Sequence, residues 1–305
     1  MNIVLPSRLN RSSMTTLLNQ VVSDQGQPIH KKYIFEFHKC RVFIEPMGVT
    51  FLNNLVQWLL SKDIPVDFSF SNPEDVHIWK NRNEPQRFLD DCGFFEMYLK
   101  KKIYTRSALR STTVPLQDVK MNNFPQWLST SFIPWIAQSV NKSPEELATF
   151  KVCIEEIFNN VRDHAEKDSS CVFAQHYPRN NTLTISIADI GIGIIEHIKS
   201  NQEYSNFTDE EAMRNAVKSK FTTKSTPKNR GAGLDTLIYN IVMNAGGCVY
   251  IFANKGILEC RQEDGVLVQE YLSASHYYPG THIEIQIDIS KAENLFDIVE
   301  EEFAW

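Results

Sequence analysis

Residues 182–193 read TLTISIADIGIG and decide the fold. In the first seven of these residues Leu and Ile alternate with Thr and Ser, which is the two-residue period of a half-buried strand. A second strand is expected over 171–176, and residues 178–181, PRNN, form the turn between the two. The loop after the later strand is therefore held at the end of a predicted sheet.

Asp189 stands directly after this strand, and Gly191 and Gly193 follow at two-residue intervals. Glycines let the backbone pass close to a planar ligand, while the carboxylate accepts a hydrogen bond from the ligand's amino group. A dinucleotide-binding fingerprint is not formed, because Glu196 occupies the position of its third glycine. The chain also contains no phosphate-binding loop of the Walker type. The alternative interpretation is an ordinary turn.

Upstream, a capping box at 143–146, SPEE, predicts a helix that runs to about Ala165. Glu156, Asn160 and His164 follow one another at four-residue steps along it. They therefore lie on one flank of the helix, apart from its apolar stripe. This flank is either a set of ligand-binding groups or the ordinary polar face of an amphipathic helix.

Downstream, Gly231 and Gly233 directly precede a helix that begins at Leu234. Bare backbone N–H groups at the positive end of a helix dipole suit an anion. The long loop before them, a candidate lid, adds hydroxyl and positively charged groups: Thr223, Lys224 and Arg230. The alternative is a flexible basic loop in front of a glycine-opened helix.

The first hundred residues alternate strands and helices, which implies a small α/β domain. The expected elements are a hairpin of strands at 33–38 and 41–45, a helix at 49–60, a strand at 64–70 and a short helix at 85–91. The pattern decays before residue 124, so we predict domains at 1–110 and 124–305 with a linker at 111–123. The second domain is expected to add helices at 124–140 and 234–244, strands at 248–253 and 256–262 joined by a turn, and a last strand at 282–289.

Composition narrows the class of protein. A length of 305 residues favours two domains, and 42% apolar residues provide a real core. A net charge of −6 without a basic run argues against nucleic-acid binding. The apolar stretch 51–60 is interrupted by Asn53, Asn54 and Gln57, and it is far shorter than the ~20 residues of a membrane helix. We see no secretory signal, so we expect a cytoplasmic protein without membrane contact.

The four motifs, taken in order over residues 124–290, resemble the ATP-binding domain of the histidine-kinase-like ATPase superfamily. That superfamily includes gyrase-type topoisomerases, mismatch-repair ATPases and anti-sigma-factor kinases, and its fold is a Bergerat-type α/β sandwich. The flank with Glu156, Asn160 and His164 looks like its asparagine box in the anti-sigma-factor-kinase form. The resemblance implies that Asn160 holds Mg²⁺, that Glu156 orients or deprotonates the attacking nucleophile, and that His164 belongs to the nucleotide site.

The same resemblance assigns the remaining motifs. Asp189 falls on the position that binds the adenine amino group, with Gly191 and Gly193 beside the base. The segment with Thr223 and Lys224 is similar to a lid. The phosphate box would consist of Arg230, Gly231, Gly233 and Leu234. Thr281 matches the residue that reaches adenine through a water.

The chain departs from the superfamily in places. Many relatives carry a further glycine two residues after Gly233, where this chain has Asp235, and the departure puts the turnover rate in doubt. No histidine-bearing dimerisation helix pair is seen before the domain, so an orthodox sensor kinase is not expected. Relatives often pair as dimers, which makes a homodimer possible by resemblance.

Residues 30–100 resemble the small STAS-like domain of anti-sigma-factor antagonists and sulfate-transporter tails. The strand–helix junction at 42–49, VFIEPMGV, carries this resemblance. Pro46 or Met47 stands where that family has its phosphorylatable serine, so we expect the phosphorylation switch to be missing. The alternative is an unrelated small α/β domain.

Together the motifs predict a Mg²⁺-dependent ATP-binding protein whose N-terminal domain binds a partner protein. It would hydrolyse ATP or transfer the γ-phosphate to a serine or threonine of that partner, and the sequence does not choose between the two. The competing hypothesis is a regulator that binds ATP and holds a partner without catalysis.

Overall fold

A computed structural model of the chain describes residues 1–70, 84–104, 106–165, 169–218 and 234–292. Helices and strands are mixed along these ranges, so the predicted α/β class is confirmed. No helix in them is both long and apolar enough to cross a bilayer.

The first half of the chain is built from short parallel strands connected by helices. Its elements are β1 (Asn2–Val4), β2 (Arg8–Leu9), α1 (Arg11–Val21), β3 (Tyr33–Glu36), β4 (Phe43–Ile44), α2 (Pro46–Ser61), β5 (Val66–Ser69), α3 (Glu84–Asp91) and α4 (Phe94–Leu99). Strands β1, β3 and β5 form one parallel sheet, and β2 pairs with β4, also in parallel. Parallel neighbours need a crossover, which α1 and α2 supply.

The hairpin predicted across residues 33–45 is wrong. Strand β3 pairs with β1 and β5 in parallel, and Phe43 and Ile44 pair with Arg8 and Leu9 instead. The partner strands β1 and β2 have three residues and two residues, which is too short to produce a periodic signal in the sequence. Sequence proximity therefore suggested a pairing that the crossovers replace.

The second half forms one antiparallel sheet of five strands in the order β6-β7-β8-β10-β9. Its elements are β6 (Thr113–Lys120), α5 (Phe124–Trp127), α6 (Ile133–Val140), α7 (Ala148–Ala165), β7 (Ser169–Tyr177), β8 (Thr182–Ala188), α8 (Ile194–Lys199), α9 (Asp209–Ala216), α10 (Leu234–Tyr239), β9 (Cys248–Glu263) and β10 (Val266–Asp288). A π-helical turn at Leu128–Phe132 joins α5 to α6, and another at Asn240–Asn244 follows α10.

The start of α7 confirms the predicted capping box. The Glu146 carboxylate accepts the Ser143 N–H at 2.7 Å, and the Ser143 hydroxyl accepts the Glu146 N–H at 3.4 Å. A short 3₁₀ turn at Glu145–Leu147 then leads into α7, which ends at Ala165 as predicted.

The predicted linker at 111–123 is wrong, because it contains β6, an edge strand of the five-stranded sheet. Thr113 pairs with Gln175, and the register shifts between Val114 and Gln117, around Pro115. Proline is tolerated at an edge or a bulge, where its missing N–H breaks no ladder. The same proline and the many polar residues hid the strand in the sequence.

The predicted turn that separates strands 248–253 and 256–262 is also wrong, since β9 runs unbroken through it. Asn254 takes a left-handed φ of +51° without reversing the chain. The reversal comes at Asp264 and Gly265, whose φ values are +50° and +79°. Asp-Gly with two positive φ angles is the turn that best matches the twist of a two-residue hairpin.

Both faces of the five-stranded sheet are covered. On one, the α7 face, the helices of the second half pack on an apolar core that includes Ile185 and Ile283. On the other, the α2 face, helix α2 lies across β7 and β8, and Phe173 and Tyr250 join the core of the first half. Strand β8 is accordingly buried at six consecutive positions, as in sheets covered on both sides.

Candidate functional site

The candidate site lies at the end of strand β8, beside strand β10. His282 is paired with Ala188, so Thr281 lies next to Asp189. The Asp189 N–H donates to the Thr281 carbonyl at 2.9 Å, which extends the ladder by one step beyond β8. The structure thus brings together two residues that are 92 positions apart in the sequence (281 − 189).

Strand alternation assigns both residues to a face. Ile185 and Ile187 of β8 and Ile283 of β10 belong to the core of the α7 face. Successive side chains of a strand point to opposite faces, so the odd-numbered positions 189 and 281 share the α7 face with them. The helix with the predicted asparagine box packs on this face, against β7, β10 and α8.

The Asp189 carboxyl is buried and only half satisfied. The residue is 2% exposed, and its Oδ1 accepts the Gly191 N–H at 2.7 Å. Among the described residues its Oδ2 has no hydrogen-bond partner. Burial raises the pKa of Asp189 to about 7, against the opposing effects of the Gly191 N–H and of the Thr281 backbone and hydroxyl groups. A buried acceptor without a partner costs free energy until a donor reaches it.

Two glycines hold the loop after Asp189 against β10. Gly193 has a φ of +82°, and a Cβ there would lie 2.8 Å from the Gly280 carbonyl oxygen. Gly280 has a φ of +102°, and a Cβ on it would lie 2.1 Å from the Asp189 carbonyl oxygen. The Thr281 hydroxyl accepts the Ile194 N–H at 3.0 Å, which fixes the start of α8. Only glycine permits these approaches.

The other predicted residues are placed in part. Glu156 is half-buried on α7, and Leu234 is buried at the first position of α10. Asn160 and His164 are part of helix α7, but the structure describes only their backbone and not their side chains. The predicted lid and phosphate residues are outside the described part of the chain altogether: Thr223, Lys224, Arg230, Gly231 and Gly233. The roles of these residues, including Mg²⁺ binding by Asn160, stay predictions.

Helices α7 and α10 lie next to each other. The Asn240 amide, in the π-helical turn after α10, donates to the Cys153 sulfur at 3.6 Å. Cys153 lies one turn before Glu156 on α7. Helices α7 and α10 therefore belong to the same layer of helices above the sheet.

A cavity of about 450 Å³ lies between the loop that follows Asp189 and the end of helix α2. Ile190, Gly191 and Ile192 form one wall, and Trp58 and Lys62 at the end of α2 form another. It shares only Gly191 with the predicted site residues, and it adjoins the first half of the chain rather than α7. It is therefore distinct from the site predicted on the α7 face.

The sequence assigned no site role to Gly280 or Asn54. The Asn54 amide of α2 donates to the Asp189 carbonyl at 2.8 Å and to the Tyr278 hydroxyl at 3.0 Å. Gly280 had a weak signal, a Pro-Gly pair before the strand predicted at 282–289, but that predicted start is wrong because β10 already begins at Val266. Asn54 had a clearer one, an amide in an otherwise apolar helix, but nothing in the sequence shows its partner.

The chain matches no protein-family model, and no curated protein matches it significantly.

Proposed function

We propose that the protein binds ATP with Mg²⁺ on the α7 face of the sheet and uses it to regulate a partner protein. The observation that carries the proposal is the Asp189 carboxyl, which is buried at a strand end with its Oδ2 unpartnered among the described residues. A donor is needed there, and the amino group of adenine is such a donor.

The backbone around Asp189 packs closely against β10 and holds the carboxyl in place. Gly193 and Gly280 remove side chains where the loop and β10 approach each other, and Gly191 stands beside the carboxyl. Thr281 adds a hydroxyl on the neighbouring strand β10. A base that donates through its amino group matches this fixed acceptor at the strand end.

The architecture proposed for the second half is the Bergerat-type sandwich, and for the first half a STAS-like domain that binds the partner. A layer of helices on one face of an antiparallel sheet, with the asparagine-box helix among them, agrees with the former. Asn160 would hold Mg²⁺, which neutralises phosphate charge during phosphoryl transfer. The phosphates would lie at the start of α10, near Lys224 and Arg230.

Thermal unfolding of the full chain with and without Mg·ATP tests the binding. At ~100 times the dissociation constant, ligand adds about 2.7 kcal/mol, which corresponds to a few degrees for a chain of this size. We expect this shift in the wild type and its loss in Asp189→Asn. An equal shift in both proteins contradicts the assignment of Asp189.

Within the same proposal, Glu156 activates the nucleophile, either water or a partner serine or threonine. Glu156→Gln should abolish release or transfer of phosphate while Mg·ATP still raises the unfolding temperature. Glu155→Gln, one position away on α7, is the matched control and should keep full turnover. Normal turnover by Glu156→Gln removes the proposed catalytic role.

A second candidate is a regulator that binds ATP without turning it over. It is favoured by Asp235, which stands where many relatives have a further phosphate-box glycine. Binding without inorganic phosphate, ADP or a phosphorylated protein after prolonged incubation would select this candidate. Formation of any of these products by wild type but not by Glu156→Gln would select the enzyme.

A further inference from the structure

Helix α2 carries a polar stripe on the side that faces the sheet. Thr50, Asn53 and Asn54 are all at most 2% exposed, within a helix whose other buried residues are mostly apolar. Residues three and four apart share one helix face. Burying such groups is costly unless each finds a hydrogen-bond partner. Their partners therefore show what the stripe does.

The Asn54 amide donates its hydrogen bonds at the candidate site. Its Nδ2 donates to the Asp189 carbonyl at 2.8 Å and to the Tyr278 hydroxyl at 3.0 Å. The Asp189 carbonyl oxygen is also the atom that a Cβ on Gly280 would approach most closely. A side chain from the first half of the chain thus holds the main chain of the residue that we propose to bind adenine.

Thr50 holds the two strands that lead to the site. Its hydroxyl lies 2.6 Å from the Ser186 hydroxyl and 2.8 Å from His282 Nε2. Ser186 lies three residues before Asp189 on β8, and His282 directly follows Thr281 on β10. Both strands that carry the candidate site are therefore fixed to α2 by side-chain hydrogen bonds through the opposite face of the sheet.

The neighbouring polar residues of α2 have other partners. The Asn53 Oδ1 accepts from the Tyr98 hydroxyl at 2.6 Å, and the Gln57 amide donates to the Asp118 carboxylate at 2.7 Å. Tyr98 belongs to α4 and Asp118 to β6, at the far side of the sheet from β10. Gln57 therefore offers a matched control for Asn54 on the same helix.

We infer that Asn54 is a positioning residue for adenine recognition. By fixing the Asp189 main chain it sets the direction of the carboxyl, so that nucleotide binding and the packing of α2 on the sheet are coupled. Coupling of this kind is reciprocal. Bound nucleotide stabilises the contact between α2 and the sheet, and a partner that displaces α2 weakens nucleotide binding. The inference rests on the proposed function for its ligand, but the positioning itself can be tested without one.

Amide hydrogen exchange on the ligand-free full chain tests the positioning. The Gly191 N–H is bonded to Asp189 Oδ1 and the Asp189 N–H to the Thr281 carbonyl. In Asn54→Ala both amides should exchange roughly 10-fold faster or more, whereas Gln57→Ala leaves them unchanged. Unchanged exchange of both amides in a folded Asn54→Ala protein overturns the inference. Asn54→Ser, which is too short to reach the carbonyl, carries the same expectation should alanine not fold.

Nucleotide discrimination tests the consequence. ITP lacks the amino group of ATP, so wild type should bind Mg·ATP roughly 10- to 100-fold more tightly than Mg·ITP. Asn54→Ala should lower this ratio at least 5-fold, Gln57→Ala should keep it, and Asn54→Ala should add nothing in the Asp189→Asn background. An unchanged ratio in Asn54→Ala overturns the coupling. Wild type that binds neither nucleotide overturns the proposed function and the adenine role with it, while the exchange result still decides the positioning.

Discussion

The two faces of strand β8 are buried by different chemistry. On the α7 face the contacts of β8 are made by aliphatic side chains such as Ile185 and Ile187. On the α2 face, Ser186 enters a fully buried hydrogen-bonded group with Thr50 and His282. Adjacent residues of β8 are therefore buried in two different ways, one by apolar contacts and the other by hydrogen bonds.

The difference indicates what each half of the chain contributes. Apolar packing is strong but does not depend on direction, so it tolerates small shifts between layers. Buried hydrogen bonds stabilise less, yet they are satisfied in one arrangement only. Both faces therefore supply apolar packing, and the hydrogen bonds on the α2 face also fix where the ends of β8 and β10 lie. Asp189 stands where both effects meet.

The largest effect is expected on the α7 face. Ile185 is fully buried, and Ile185→Ala removes its contacts and leaves a cavity. Such truncations cost about 2–5 kcal/mol in the free energy of unfolding, measured by urea denaturation. A cost below about 1 kcal/mol would show that this face is loosely packed.

The next effect concerns the ion pair between α1 and the α2 face. The Arg11 guanidinium lies 2.9 Å from the carboxylate of Glu284, whose side chain is 9% exposed. Burial raises the pKa of Glu284, and Arg11 opposes the rise. Arg11→Met should therefore cost about 2–3 kcal/mol at pH 8, because it leaves a buried carboxylate unpaired.

The pH dependence and a second substitution sharpen that test. Without Arg11 the folded chain keeps the Glu284 proton to higher pH than the unfolded chain, so stability falls as pH rises above the unfolded pKa. The cost of Arg11→Met should shrink at pH 5, and adding Glu284→Gln should recover most of it at pH 8. A cost independent of pH would mean that lost packing over Tyr250, which Arg11 covers at 4.3 Å, dominates instead.

Asp189 itself should destabilise the ligand-free protein. Burial raises the pKa of Asp189 to about 7, while an unfolded aspartate titrates near 3.9. The folded chain then binds more protons than the unfolded chain, so this residue lowers stability as pH rises from about 4 to 7. Asp189→Asn should stabilise the protein by about 1–3 kcal/mol at pH 8 and leave it unchanged at pH 4. A variant less stable than wild type at pH 8 would contradict this.

The smallest effect is expected at Ser186, the residue that follows Ile185 on β8. Ser186→Ala removes one hydroxyl from the buried group, but Thr50 and His282 keep their own contact at 2.8 Å. The loss should be about 1 kcal/mol, measured under the conditions used for Ile185→Ala. Equal costs for the two substitutions would remove the contrast between the faces.

Some of this architecture could be predicted because its causes are local. Alternation in TLTISIA gave the bounds of β8, and the capping box gave the start of α7. The short strands β1 and β2, the parallel pairing of the first half, β6 and the role of Asn54 could not be found in this way. Their partners are distant in sequence, as with Asn54 and Asp189, which are 135 positions apart. A polar residue in an apolar helix indicates that a partner exists but does not identify it.

The most direct test of the central claim is an NMR titration of the full chain with Mg·ATP, observing backbone amide signals. We predict saturable shifts at Gly191, Gly193 and Thr281 that disappear in Asp189→Asn. Signals that stay unchanged, or shifts confined to Trp58 and Lys62 beside the cavity at the end of α2, would contradict the account.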